Sequence, residues 1–216
     1  MKILESVPQR YDRGIRLLSG GKINKAYALA VEPIEQGQRV LDIGCGTGAL
    51  SLLAAAKGAQ VEAIDINPAM LEVAQARARQ LGLTEWISFR EQGAVELAPI
   101  GEPFDVILSS LCFSELSLEE RSYVLPVLYQ RLAPHGKLII VDESPPERLI
   151  PWFFYRLLRP LWVGLTWILT QTTTHPIEGL VTEVKQAGFI VPPEGLTRLG
   201  SLVIVTAEKG GTDESR

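Results

Sequence analysis

Two cysteines and two histidines among 216 residues leave little material for disulfide, metal or histidine-based chemistry. Cys45 and Cys112 both sit at the ends of apolar runs, which fits neither a disulfide framework nor a metal-ligand cluster. The expectation is a reducing, cytoplasmic compartment and no metal site. Charge of one sign is equally scarce: 21 Lys and Arg against 25 Asp and Glu give a net charge of −4. That balance supplies no broad basic surface, so nucleic acid is not expected as a partner. Met1 to Pro8 contains no basic segment followed by a long apolar core, so no export signal is read there. The apolar stretch 149–170 is interrupted by Arg156, Arg159 and Pro160, whereas a spanning helix needs about 20 mainly apolar residues.

What is present is an alternation of short apolar runs and helix-like segments. Strands are expected at about 39–43, 61–65, 86–89, 104–108 and 137–142, with two more near the end, including 202–205. Alternating strands and helices give an α/β fold with a doubly wound, mostly parallel sheet. The length suits one domain over 1–209, with a helical cap at 1–36, an inserted apolar segment at 146–177 and a polar, disordered tail at 210–216. The helix at about 117–132 is expected to turn Leu118, Val124, Leu125, Leu128 and Leu132 inward, and His135 to sit in a Pro-His-Gly turn.

The chain is organised around Val40-Leu41-Asp42-Ile43-Gly44-Cys45-Gly46-Thr47-Gly48, a strand that stops at three alternating glycines before a helix. Glycine tolerates positive φ and lets a ligand lie against bare backbone at a helix amino end. The same residues also fit a dinucleotide fingerprint, Gly44-x-Gly46-x-x-Ala49 with Asp65 as ribose acceptor, which leaves a nicotinamide-dependent oxidoreductase as a rival. Asp42 argues against that rival: a carboxylate there repels a pyrophosphate and attracts an ammonium or sulfonium.

The full string resembles the first signature of the class I S-adenosylmethionine (SAM) methyltransferases, and the resemblance extends over about Val40–Asp142. It implies a Rossmann-like sheet of seven strands with an antiparallel C-terminal edge strand. It also implies SAM as methyl donor and S-adenosylhomocysteine as product. In this reading Asp42, Gly44, Cys45, Gly46 and Gly48 form the loop facing the methionine part of SAM. Asp65 grips both ribose hydroxyls, and Ile66 and Met70 either flank the adenine or belong to the core. Related enzymes often carry an aspartate before the alanine of the next turn; here Gly93 stands there, so Gln92, Gly93 and Ala94 supply the adenine contact in another way. Ser109 ends strand four, whose carboxyl end borders the transferable methyl group in a doubly wound sheet.

Candidates on the acceptor side are Tyr11, Glu115 and His175, with Arg16 and Lys22 weaker. Tyr11 either approaches the ligand or packs a helix on the sheet; Glu115 either orients a substrate or is a solvated carboxylate. Where related small-molecule methyltransferases often have a histidine pair, this chain has Ser114 and Glu115. The 149–170 segment reads as two short helices divided by Pro160, serving as a substrate cover, a protein-docking face or a peripheral membrane contact. Residues 5–12, 19–22, 111–116 and 169–175 together are similar to the corrinoid-protein-associated methyltransferases. That resemblance implies a corrinoid acceptor, carried on a partner protein. The acceptor is expected to be a small molecule or such a corrinoid; a lipid or quinone-like acceptor at a membrane surface, and a non-catalytic SAM-binding module, are the alternatives, and the oligomeric state is open.

Overall fold

The computed structural model describes residues 8–144 and 177–210. The expected insertion at 146–177, with its apolar stretch 149–170 and His175, lies outside the described residues but for Ile177, as does the tail from 211 on. Seven strands form one sheet: β1 (Arg39–Ile43), β2 (Gln60–Asp65), β3 (Ile87–Glu91), β4 (Phe104–Ser110), β5 (Leu132–Glu143), β6 (Leu196–Leu199) and β7 (Leu202–Glu208). Their order is β3-β2-β1-β4-β5-β7-β6. β1 to β5 pair in parallel, while β7 runs antiparallel against both β5 and β6, which makes the expected antiparallel edge.

The described helices are α1 (Pro8–Leu18), α2 (Lys22–Val31), α3 (Ala49–Ala56), α4 (Pro68–Leu81), α5 (Leu118–Arg131) and α6 (Leu180–Gln186). Their ends follow local chemistry. The Asn67 side chain accepts from the Ala69 amide before Pro68 opens α4, and Gly82 closes that helix at φ 69°. Ser117 and Glu120 form a reciprocal capping box at the start of α5. No described helix is long and apolar enough to cross a membrane.

The central strands are buried on both faces, and their residues alternate between two cores. Val40, Val61, Val106 and Ile139 face the layer that holds α2, α3 and α4; Leu41, Ile64, Ile107 and Ile140 face α5 and α6. Each such side chain removed from water contributes roughly 1.5–3 kcal/mol, so the sheet is a rigid base for the loops at its carboxyl edge. One expectation fails in this layer. Leu118 is 61% exposed, whereas Val124, Leu125, Leu128 and Leu132 are buried. Leu118 is the first residue of the helix, and at that end the apolar cover comes from Phe113 and Leu116 of the preceding turn.

Candidate cofactor and acceptor site

β1 and β4 are neighbours, and the chain leaves them in opposite directions, so a crevice opens at their carboxyl ends. The glycine loop lies there. Gly44, Gly46 and Gly48 all have positive φ, at 65°, 53° and 82°, a region that costs other residues about 1–2 kcal/mol. The Cys45 amide donates to the Ile64 carbonyl at 3.0 Å, tying the loop to β2. Gly44 is also sterically required: a Cβ placed on it would stand 2.6 Å from both Cβ and Sγ of Cys112. Gly48 serves the helix instead, as the residue preceding α3 and packed on Ala74.

Asp42, Gly44, Cys45 and Gly46 border a cleft whose other walls include Tyr11, Tyr27 and Ser110. Asp42 is only 1% exposed. Its Oδ2 accepts from the Ser51 hydroxyl at 2.5 Å, and its buried Oδ1 has no hydrogen-bond partner among the described residues. Burial lifts its pKa to about 7 against the pull of the Ser51 hydrogen bonds, with Asp65 adding a smaller upward push. A buried carboxylate oxygen without a hydrogen-bond partner, on a residue that borders a cleft, fits the ammonium of a bound ligand. Burial also pushes up the thiols of Cys45 and Cys112, so neither is a nucleophile at neutral pH.

Asp65 stands at the end of β2, half-buried. Oδ2 accepts from the Gly46 amide at 2.7 Å and Oδ1 from the Asn67 amide at 2.8 Å. Burial raises its pKa, and these two amides oppose the rise. Each oxygen keeps a further acceptor direction, as two ribose hydroxyls require. Beside it Ile66 is 73% exposed and packs near Gly93, an apolar platform at the place where an adenine would lie. Replacing Asp65 by alanine is expected to weaken SAM binding by roughly 1–3 kcal/mol; calorimetry showing unchanged affinity would remove the ribose assignment.

Other expected contacts are corrected. Met70 is 1% exposed on the inner side of α4, where helical spacing puts it in the core and not beside an adenine. Ser109 is fully buried, its hydroxyl donating to the Ile43 carbonyl at 3.1 Å; it fastens β4 to β1, and Ser110 is the serine that reaches the cleft. The Gln92 amide group donates to the Glu96 carbonyl at 2.9 Å, and the Gly93 amide to Glu96 Oε2 at 2.8 Å. Those bonds shape the turn that begins at Ala94, leaving the Gln92 side chain turned to its own turn. Glu115 is exposed in a short 3-10 turn, and neither it nor Arg16 or Lys22 borders the cleft. Tyr11 does border it, its pKa raised by burial first and by Tyr27 next.

Three further groups were not apparent in the sequence. Asp12 of α1 accepts from the Thr47 hydroxyl at 2.7 Å and pairs with Arg77 of α4, so the amino-terminal cap is bolted to the glycine loop. Asp142 of β5 is fully buried and accepts from the amides of Ser114 and Glu143 at 3.0 and 2.8 Å. With Leu111 N donating to the Val141 carbonyl at 2.8 Å, it fixes the loop after β4, including Leu111 at φ 55°. Ser110 and Tyr27 are the third group, with their hydroxyls 2.9 Å apart. Only the adjacency of Tyr11 and Asp12 signalled any of these; the others join residues far apart in the chain.

The unpaired Asp42 oxygen, the glycine loop and the Asp65 carboxylate at the next strand end fit SAM: cation, bare backbone and ribose each have a counterpart. This is the fold of the class I methyltransferases. Residues 40–136, the stretch that carries the glycine loop and Asp65, match the methyltransferase domain family, and this part of the chain is a methyltransferase domain. A ubiquinone/menaquinone biosynthesis C-methyltransferase, UbiE of Psychromonas ingrahamii, is 32% identical over 150 residues, covering 67% of this chain and 59% of that protein. The chain thus spans about three-fifths of that relative's length. Among solved structures, the [4+2]-cyclase SpnF superposes with a TM-score of 0.68 at 19% identity, covering 87% of this chain and 81% of that one. The magnesium protoporphyrin IX methyltransferase ChlM of Synechocystis PCC 6803, with bound SAM, gives 0.64 at 22% identity, covering 91% and 82%. These two share the fold.

Proposed function

We propose that this chain transfers the methyl group of SAM to a ring carbon of an apolar quinol-type small molecule. The observation that carries the acceptor class is the 32% identity to UbiE, a protein named for quinone C-methylation. When bound, SAM supplies a methyl carbon activated by a positive sulfur. The chain's own residues hold and orient: Asp42 takes the ammonium, the glycine loop the methionine backbone, and Asp65 the ribose. Fixing nucleophile, methyl carbon and sulfur in line is worth about 7–11 kcal/mol relative to free encounter. In such a displacement the carbon–sulfur bond would break as the carbon–carbon bond forms, and the ring proton would then pass to solvent water.

No histidine, lysine or arginine is among the described residues that line the cleft. This supports an acceptor that is nucleophilic without a histidine base, as an electron-rich quinol ring is. The same observation favours one second reading, a reduced corrinoid on a partner protein, whose cobalt needs no base. Under the quinol reading, the 149–170 sequence is assigned a peripheral membrane contact, where apolar quinols reside. Purified protein incubated with methyl-labelled SAM and a short-chain naphthoquinol lacking the ring methyl is expected to place label in the organic phase. Bound SAM with no labelled quinol would overturn the acceptor.

A further inference from the structure

The two sides of helix α1 differ in chemistry. On the inner side Tyr11 and Asp12 border the cleft and Ile15 packs on the core. On the outer side Arg13, Arg16 and Leu17 are exposed, Leu17 at 79%, and their spacing puts them on one face. The chain turns at Ser19–Gly21 into α2, which buries Ile23, Ala26 and Ala30 and leaves Lys22 and Lys25 outside. Arg13, Arg16, Lys22 and Lys25 make no ion pair with another described residue, and no acidic residue stands between Asp12 and Glu32. A chain of net charge −4 thus gathers four positive charges and an exposed leucine on its amino-terminal cap. The cap stands at the edge of the sheet where the cleft opens. Lys22 Nζ lies 2.6 Å from where a Cβ on Gly200 would stand, in the turn between β6 and β7. That turn is beside the carboxyl end of β5: Leu202 pairs with Glu143, and the Ser144 amide donates to the Ser201 carbonyl at 2.8 Å. The parallel strands β1 and β4 end at this same edge.

We infer that the outer face of α1 and the start of α2 form a docking surface for an anionic lipid bilayer. Arg13, Arg16, Lys22 and Lys25 meet the headgroup charge while Leu17 enters the interface, which holds the cleft edge of the sheet toward the membrane. The inference rests on the apolar-acceptor reading above and deepens it, because an acceptor dissolved in a bilayer is then met at the membrane surface. The exposed leucine decides the class of partner. The phosphates of a nucleic acid would match the cations but leave Leu17 in water, whereas a lipid interface takes both.

The test is co-sedimentation of the purified protein with vesicles of phosphatidylcholine alone or with about one-third phosphatidylglycerol. Wild-type protein is expected to bind the anionic vesicles at least about tenfold more tightly, and to be released as salt approaches about 1 M. At roughly fivefold per cation, Arg13→Gln combined with Arg16→Gln should weaken that binding about 25-fold. Leu17→Ser should weaken it by about fivefold, a loss that a purely electrostatic contact would not show. None of these residues borders the cleft, so every variant should keep its SAM dissociation constant within about twofold, which shows an intact fold. Equal binding to neutral and anionic vesicles would overturn the inference. So would anionic binding unchanged in both the double arginine variant and Leu17→Ser, or duplex DNA held more tightly than the vesicles. Failure of the quinol reading looks different: the protein would dock on anionic vesicles yet transfer no label to a short-chain naphthoquinol in solution.

Discussion

Asp42→Asn is expected to weaken SAM binding roughly 10- to 100-fold at pH 8, the worth of a hydrogen bond to a charged group, and to flatten its pH dependence. In the wild-type protein the free carboxyl titrates at about 7, and only its ionised form attracts an ammonium. Affinity should therefore fall by about tenfold from pH 8 to pH 6, as the ionised fraction falls from about nine-tenths to one-tenth. Stability should move the other way. The folded pKa of Asp42 lies above its ordinary 3.8, so the fold favours the protonated form. That contribution is complete below about pH 4 and is lost as pH rises through about 7, on the order of 4 kcal/mol. Asp142, raised to about 6 by its own burial, acts in the same direction. The free protein is expected to melt at lower temperature at pH 8 than at pH 5, and SAM to reverse most of the loss by pairing with Asp42. A SAM affinity independent of pH in the wild-type protein would separate Asp42 from the ligand.

Gly44→Ala is expected to abolish measurable SAM binding and to lower the melting temperature. Two costs add. The backbone at φ 65° disfavours alanine by about 1–2 kcal/mol, and the new methyl meets Cys112 Cβ and Sγ at 2.6 Å. The neighbouring loop cannot easily recede, because Asp142 and the Val141 carbonyl hold it. The second cost has its own test: removing both clashing atoms with Cys112→Gly in the Gly44→Ala background should restore part of the lost stability, leaving the backbone cost. A double variant no better than the single would show that the contact with Cys112 is not what makes glycine necessary.

The parts of this protein that are legible in the sequence are those fixed by neighbouring residues. The β1 strand, its glycine loop and the capped start of α4 follow from patterns a few residues long, and Asp65 follows from the rule that ligands sit beyond strand ends. Where a side chain points is another matter. Met70 and Ile66 are four residues apart, yet one is in the core and the other 73% exposed, because the helix begins between them. Ser109 and Ser110 differ only in which side of β4 they occupy, and that decides between a strand fastener and a wall of the cleft. Tyr27 reads as one position in an apolar helical stripe, since its partner Ser110 lies 83 residues on. Ser51 and Asp142 are likewise visible only once the sheet is assembled. The inward residues Val124, Leu125 and Leu128 of α5 follow from helical spacing, but not the exposure of Leu118 at its first position.

The most direct measurement is to incubate the purified protein with methyl-labelled SAM and an extract of its source cells, and to separate lipid, water-soluble and protein-bound label. The account requires label on an apolar ring compound in the lipid fraction, lost with Asp42→Asn. Label held on a protein and released by light would contradict the quinol acceptor in favour of a methyl–cobalt product, and tight SAM binding with no label in any fraction would contradict methyl transfer itself.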